Sequence, residues 1–112
     1  MDQHAESSWP FDQQPNVAAF TLKRIIWSIE GAPPAPVLFV SHDKDDHAWQ
    51  FLDGNEADTA DAAIVSMEEM LRRDPTLREI ADLPPGWVAV RASVGQPWSR
   101  FRREADDSRS FS

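Results

Sequence analysis

Two short apolar runs, Val37 to Ser41 (VLFVS) and Ala48 to Leu52 (AWQFL), flank the polar stretch His42-Asp43-Lys44-Asp45-Asp46-His47. The first run is continuously apolar and rich in β-branched and aromatic residues, the pattern of a central strand covered on both faces. The second alternates, with Trp49 and Phe51 on one side and Gln50 and Leu52 on the other. Two strands joined by a short polar turn predict a β-hairpin, and Asp53-Gly54-Asn55 ends it because Gly and Asn tolerate positive φ. Any fold for this chain has to be built around that hairpin.

Upstream, Val17 to Thr21 suits a strand. Leu22, Ile25, Ile26 and Ile29 repeat at helical spacing, which predicts a short helix over Leu22 to Glu30. Gly31 stops it, and Pro33, Pro34 and Pro36 impose an extended connector. Downstream, a strand at Ala62 to Val65 is favoured over one long helix from Asp58. The reason is that Ser66-Met67-Glu68-Glu69 has the form of a capping box opening a helix at Met67. Asp74-Pro75 reads as the N-cap and first-turn proline of a further helix, Pro75 to Asp82. Trp87 to Ala92 is the last predicted strand, with Trp87, Ala89 and Arg91 on one face. Glu68 and Glu69 precede Arg72 and Arg73 by four residues, a solvated, self-paired helix face.

This order lacks the regular alternation of parallel α/β folds. It predicts an α+β domain: a small, mostly antiparallel sheet of about four to five strands with two or three short helices packed on it. The domain should run from Val17 to Trp98. Residues 1–16, polar with two prolines, read as a flexible N-terminal arm that Trp9 and Phe11 can pin to the body. Residues 99–112 mix Arg, Ser and Asp without periodicity and read as a disordered C-terminal tail. Five tryptophans and six phenylalanines supply the buried area that a chain of 112 residues needs.

The absence of cysteine rules out disulfides, thiolate zinc sites and cysteine nucleophiles. No apolar run approaches the ~20 residues that span a bilayer, and the N-terminus has no signal-peptide pattern, so a cytoplasmic location is expected, with no membrane partner. A net charge of −8 disfavours nucleic acid and suits solubility or a basic protein partner. No G-x-S-x-G, S-x-x-K or glycine-rich phosphate loop occurs, so no catalytic residue and no cofactor is assigned.

Two candidate sites follow. The His42–His47 turn offers His42, Asp43, Asp46 and His47 as metal ligands, or His42 or His47 with Asp43, Asp45 or Asp46 as an acid–base pair. Neighbouring residues of one turn converge poorly on a single ion, so a solvated turn is the plainer reading. The second site is a partner surface made of Asp43, Asp45, Asp46, Trp49 and Trp98, combining acidic charge with aromatic anchors.

The segments VSHDKDDHAWQFLDG and VSMEEMLRRDPTLREIADLPPGWVAVR, with the closing Pro97-Trp98, resemble an uncharacterised bacterial family with a histidine–aspartate turn before W-Q-F and a D-P-x-L-x-E-x-A-D-L-P-x-G-W block. The W-x-F-x-x-G run and the D-P helix are also similar to presumed immunity proteins of bacterial toxin systems. The resemblance implies no catalytic residues. The expectation is a non-catalytic, immunity-like protein-binding module, with a metal-dependent enzyme or metal sensor built on the turn as the alternative. Homo-oligomerisation is a third possibility.

Overall fold

A computed structural model describes residues 9–28 and 31–103. The elements, in order, are β1 (Ala18–Leu22), a single helical turn α1 (Lys23–Ile26), β2 (Phe39–His42), β3 (Trp49–Leu52), a 3-10 turn (Thr59–Asp61), β4 (Ala62–Ser66), α2 (Met67–Arg73), a 3-10 helix (Pro75–Ile80), β5 (Trp87–Val90) and β6 (Ser99–Arg102). The strands form one mixed sheet in the order β4-β1-β3-β2-β5-β6. The pairing of β1 with β3 is parallel; the other four are antiparallel. An α+β sheet was expected, but with six strands rather than four to five.

The extra strand is β6, which replaces the start of the expected disordered tail. Ser99–Arg102 is exposed throughout and lacks a strand's apolar alternation. It is ordered by its ladder to β5, by the Arg103 amide on the Gly86 carbonyl (2.8 Å), and by Arg100, which meets Asp82 (2.8 Å) and the Glu79 carbonyl (2.6 Å). The remainder of that segment, residues 104–112, lies outside the described residues.

The N-terminal boundary also moves. Phe11 is buried in the core and Trp9 packs against it, so the domain takes in residues from position 9. The expected helix Leu22 to Glu30 shrinks to one turn. Trp27 is already extended, and the Arg24 carbonyl, which a longer helix would give to the Ser28 amide, accepts from Ala35 in the proline connector at 2.7 Å. Ile29 and Glu30 lie outside the described residues.

Partners in register share a face of the sheet, so Ala19, Val40, Trp49, Phe51 and Ala89 project to one side. There they form a single core with Met67 and Met70 of α2, Leu77 and Ile80 of the 3-10 helix, and Leu83. Burying these apolar side chains is the main stabilising term. The other side carries one row across all six strands: Ile64, Phe20, Gln50, Ser41, Val88 and Phe101. Its middle is shielded, with Ser41 and Val88 buried, and its ends, Ile64 and Phe101, are exposed.

The helix starts follow the sequence closely. The Ser66 hydroxyl accepts from the Glu69 amide at 3.0 Å, as a capping residue should. The reciprocal half of the box gives way to ion pairing, because the Glu69 carboxylate binds Arg72 and Arg73 instead. Asp74 caps the Thr76 amide at 3.0 Å with Pro75 in the first turn of the helix.

Candidate partner-binding turn

β2 delivers His42 to the end of the hairpin, and the strand alternation sets it on the same face as Val40, toward the core. His42 is therefore buried, at 4% exposure, and stacks on the indole of Trp49 with ring centroids 4.1 Å apart. Its Nδ1 lies 2.7 Å from the Leu83 carbonyl, an acceptor only, so Nδ1 carries the hydrogen and Nε2 the lone pair. Nε2 faces the amide nitrogen of Gln13 at 3.4 Å, while the Gln13 side-chain oxygen accepts from Trp49 Nε1 at 2.7 Å. Trp9 Nε1 donates to the Gln13 main-chain carbonyl at 2.7 Å.

Gln13 thus joins the N-terminal segment to the hairpin through its side chain, while its backbone carbonyl holds Trp9. Burial pushes the His42 pKa below 6.5, and the nearby His47 adds to that; the Leu83 bond and the charges of Asp12 and Asp43 oppose it. A neutral imidazole is the form this network accommodates, since a proton on Nε2 would face the hydrogens of the Gln13 amide.

Beyond His42 the chain turns tightly, with the Asp43 amide on the Ala48 carbonyl at 2.7 Å. Asp43 Oδ1 accepts from the Asp45 amide (2.8 Å) and Asp46 Oδ1 from the Ala48 amide (3.0 Å), two local Asx bonds that fix the loop. His47 has φ 59°, a left-handed conformation that costs a non-glycine residue about 1–2 kcal/mol. Lys44, Asp45, Asp46 and His47 are exposed.

In this arrangement the four residues named as metal ligands do not converge on one point. His42 spends both ring nitrogens inside the protein, Asp43 and Asp46 each spend an oxygen on backbone amides, and the His42 and His47 ring centroids are 5.9 Å apart at a steep angle. Among the described residues, no three His, Asp or Glu side chains are placed to hold a metal ion. Of the two histidines offered for acid–base work, His42 faces the core and His47 is exposed.

The aromatic part of the partner surface also changes. Trp49 is 1% exposed and supports the turn from beneath, so it is not available as a contact. Trp98 is half-buried and lies under the Arg91 guanidinium, 4.2 Å from the ring centroid. Asp45 and Asp46 stay on the surface, with Asp43 partly covered.

Two buried charged groups were not singled out from sequence. Arg91, whose side chain is fully buried, donates to the Val37 carbonyl from Nε (3.1 Å) and Nη2 (2.9 Å), to Thr76 Oγ1 (2.9 Å) and to Asp74 Oδ2 (2.9 Å). Asp53, just past β3, is buried against Arg24 at 2.7 Å; that guanidinium holds its carboxyl below the usual 3.8. A pattern of alternation marks where a strand lies, but not whether a charge on its inner face has partners waiting.

A groove of about 490 Å³ runs between the proline connector, α1 and α2, lined by Ile25, Pro34, Pro36, Met70 and Arg73 among others. Its charged groups are engaged within the fold: Arg73 binds Glu69 and the Ile26 carbonyl (2.7 Å), and Asp74 binds Arg91. No family model matches the chain, and comparison with curated proteins and with solved structures gives no match either.

Proposed function

We propose that this protein is a non-catalytic binding module whose Asp43–His47 turn engages a basic protein partner. The observation that carries the reading is the construction of the turn: exposed carboxylates on a loop fixed by two Asx bonds and seated on the buried His42–Trp49 stack. A preordered acidic loop gives up little entropy on binding and steers a cationic partner by its field. The left-handed His47 is a further support, since strained residues persist where the surroundings impose them, often at binding loops.

The acidity of the whole chain weighs less than its net charge suggests. The described residues hold thirteen Asp and Glu against ten Lys and Arg, so only −3 of the −8 resides there. Local concentration in the turn is therefore the more useful argument. Read together with the resemblance to presumed immunity proteins, the partner is a basic toxin domain made by the same cell, and the interaction takes place in the cytoplasm. Among the described residues, no helix is long and apolar enough to cross a membrane.

The triple variant Asp43→Asn, Asp45→Asn, Asp46→Asn tests this cleanly. Asparagine keeps the Oδ1 acceptors of both Asx bonds while removing three charges. Affinity capture from the organism of origin with the wild-type chain should recover a stoichiometric basic protein, bound less tightly as salt rises. The variant should fold normally and bind at least about tenfold more weakly, the scale of one lost charge pair. Failure of the wild type to retain any partner at low salt would sink the reading.

A further inference from the structure

We propose that two copies of this chain associate through β4, pairing antiparallel edge to edge about Ile64. β4 is a terminal strand, and among the described residues only β1 pairs with it. A strand edge left open presents unpaired amides and carbonyls to any chain that can add to it. Proteins usually guard such an edge with lysine, arginine, proline or a bulge. β4 has none of these: it reads Ala-Ala-Ile-Val-Ser, and its register with β1 runs unbroken through five pairs from Ala18–Ser66 to Leu22–Ala62.

The side chains around this edge are apolar as well. Of the six large hydrophobic residues exposed among the described residues, Val17 (39%), Phe20 (41%) and Ile64 (63%) lie on β1, its approach and β4. Phe20 and Ile64 are direct cross-strand partners, so they stand side by side on one face. Val17 adjoins the other end of β4, its carbonyl accepting from the Met67 amide at 2.8 Å.

The strand is complementary to itself. Antiparallel pairing about a two-fold axis at Ile64 sets Ala62 opposite Ser66 and Ala63 opposite Val65 of the second copy, with Ile64 opposite Ile64. Phe20, Ile64 and their two counterparts then form an apolar row across four strands. No charge falls at any of these positions, which is what a neutral, isologous contact between two chains of like net charge requires. A partner of opposite charge finds nothing to bind here. A second copy meets the same uncharged edge.

The contact is one pair of five-residue strands, so the dimer is weak and reversible, with a midpoint on the order of 10–100 μM as the value to be tested. Because each copy carries −8, screening should tighten the dimer, the reverse of the salt response of the acidic turn. Sedimentation equilibrium on the full chain provides the test. Wild type should shift from monomer toward dimer across that range. Ile64→Arg and Ile64→Glu should each stay monomeric with an unchanged thermal midpoint, and Phe101→Arg on the far edge should dimerise like wild type. An equimolar mixture of Ile64→Arg and Ile64→Glu should regain association, because the axis places the two substituted side chains face to face. A wild-type chain that remains monomeric at roughly ten times the stated range overturns the proposal. So does dimerisation that survives Ile64→Arg, or a mixture that fails to associate.

Discussion

At one end of β2, His42 is held by the Leu83 carbonyl, the Gln13 amide and the Trp49 ring; just ahead of the other end, Arg91 holds the Val37 carbonyl, Thr76, Asp74 and the face of Trp98. Both are buried polar residues stacked on a tryptophan, and both connect segments far apart in sequence. They differ in charge. The His42 cluster is neutral and depends on one tautomer, whereas the Arg91 cluster is built on a guanidinium paired with the Asp74 carboxylate. A neutral network loses a hydrogen bond when it is broken. A charged one leaves an ion without partners.

Removing the centre of each cluster tests that difference. Arg91→Ala should have the largest effect, about 3–5 kcal/mol, since it removes one member of a buried pair and also unsatisfies the Val37 carbonyl. Chemical denaturation should show either this loss or no cooperative transition. Arg91→Met, which keeps the packing under Trp98, should recover part of the loss, while a full recovery would mean the guanidinium bonds contribute nothing. Gln13→Ala should cost about 1–3 kcal/mol by stranding Trp49 Nε1 and His42 Nε2. Its effect should also appear as altered Trp fluorescence, because Trp49 Nε1 loses its side-chain acceptor while the Trp9 bond to the Gln13 carbonyl is kept.

The smallest effect is on pH dependence. His42 in the folded chain titrates below 6.5, so as pH falls past 6.5 the unfolded state takes up a proton that the folded state refuses. Stability from this group is complete above 6.5 and is lost as pH falls through the lower folded value. Thermal midpoints measured between pH 7.5 and 5 on the order of half a unit apart should decline in wild type and decline less in His42→Phe. An equal slope in both proteins would show that His42 is not the responsible group. The Asp53–Arg24 pair acts in a separate window, since the Asp53 carboxyl is held below 3.8 and yields its stabilisation only in stronger acid.

The same two clusters show what the sequence could and could not disclose. The hairpin, the Ser66 cap and the Asp74-Pro75 helix start were legible because each depends on residues within a few positions of one another. His42 was read as part of a solvated turn because its neighbours are charged. Yet Val40 and His42, two apart, share the phase of Trp49 and Phe51, and that alternation was a signal that the imidazole points inward. Nothing local announces that Gln13 or Leu83 will reach it. Arg91 was placed on one face with Trp87 and Ala89, but its partners come from two other parts of the chain, Val37 and the helix start at Asp74 and Thr76. β6 was missed because its order derives from the β5 ladder and from Arg100, not from its own composition.

The place of β1 has a consequence for how the chain folds as it is made. Among the described strands β1 comes first in the chain, yet it sits between β3 and β4, with its partners some thirty to forty-eight residues further along. The β2–β3 hairpin can form early from local contacts, but the first strand has no complete slot until the ribosome has released residues beyond Ser66. Closure of the sheet therefore waits on two long-range loops, the slow kind of step in β-rich topologies. Until then Ala18–Leu22, with Ala19, Thr21 and Leu22 buried only in the finished fold, has neither of its neighbours, and the nascent chain exposes an aggregation-prone segment.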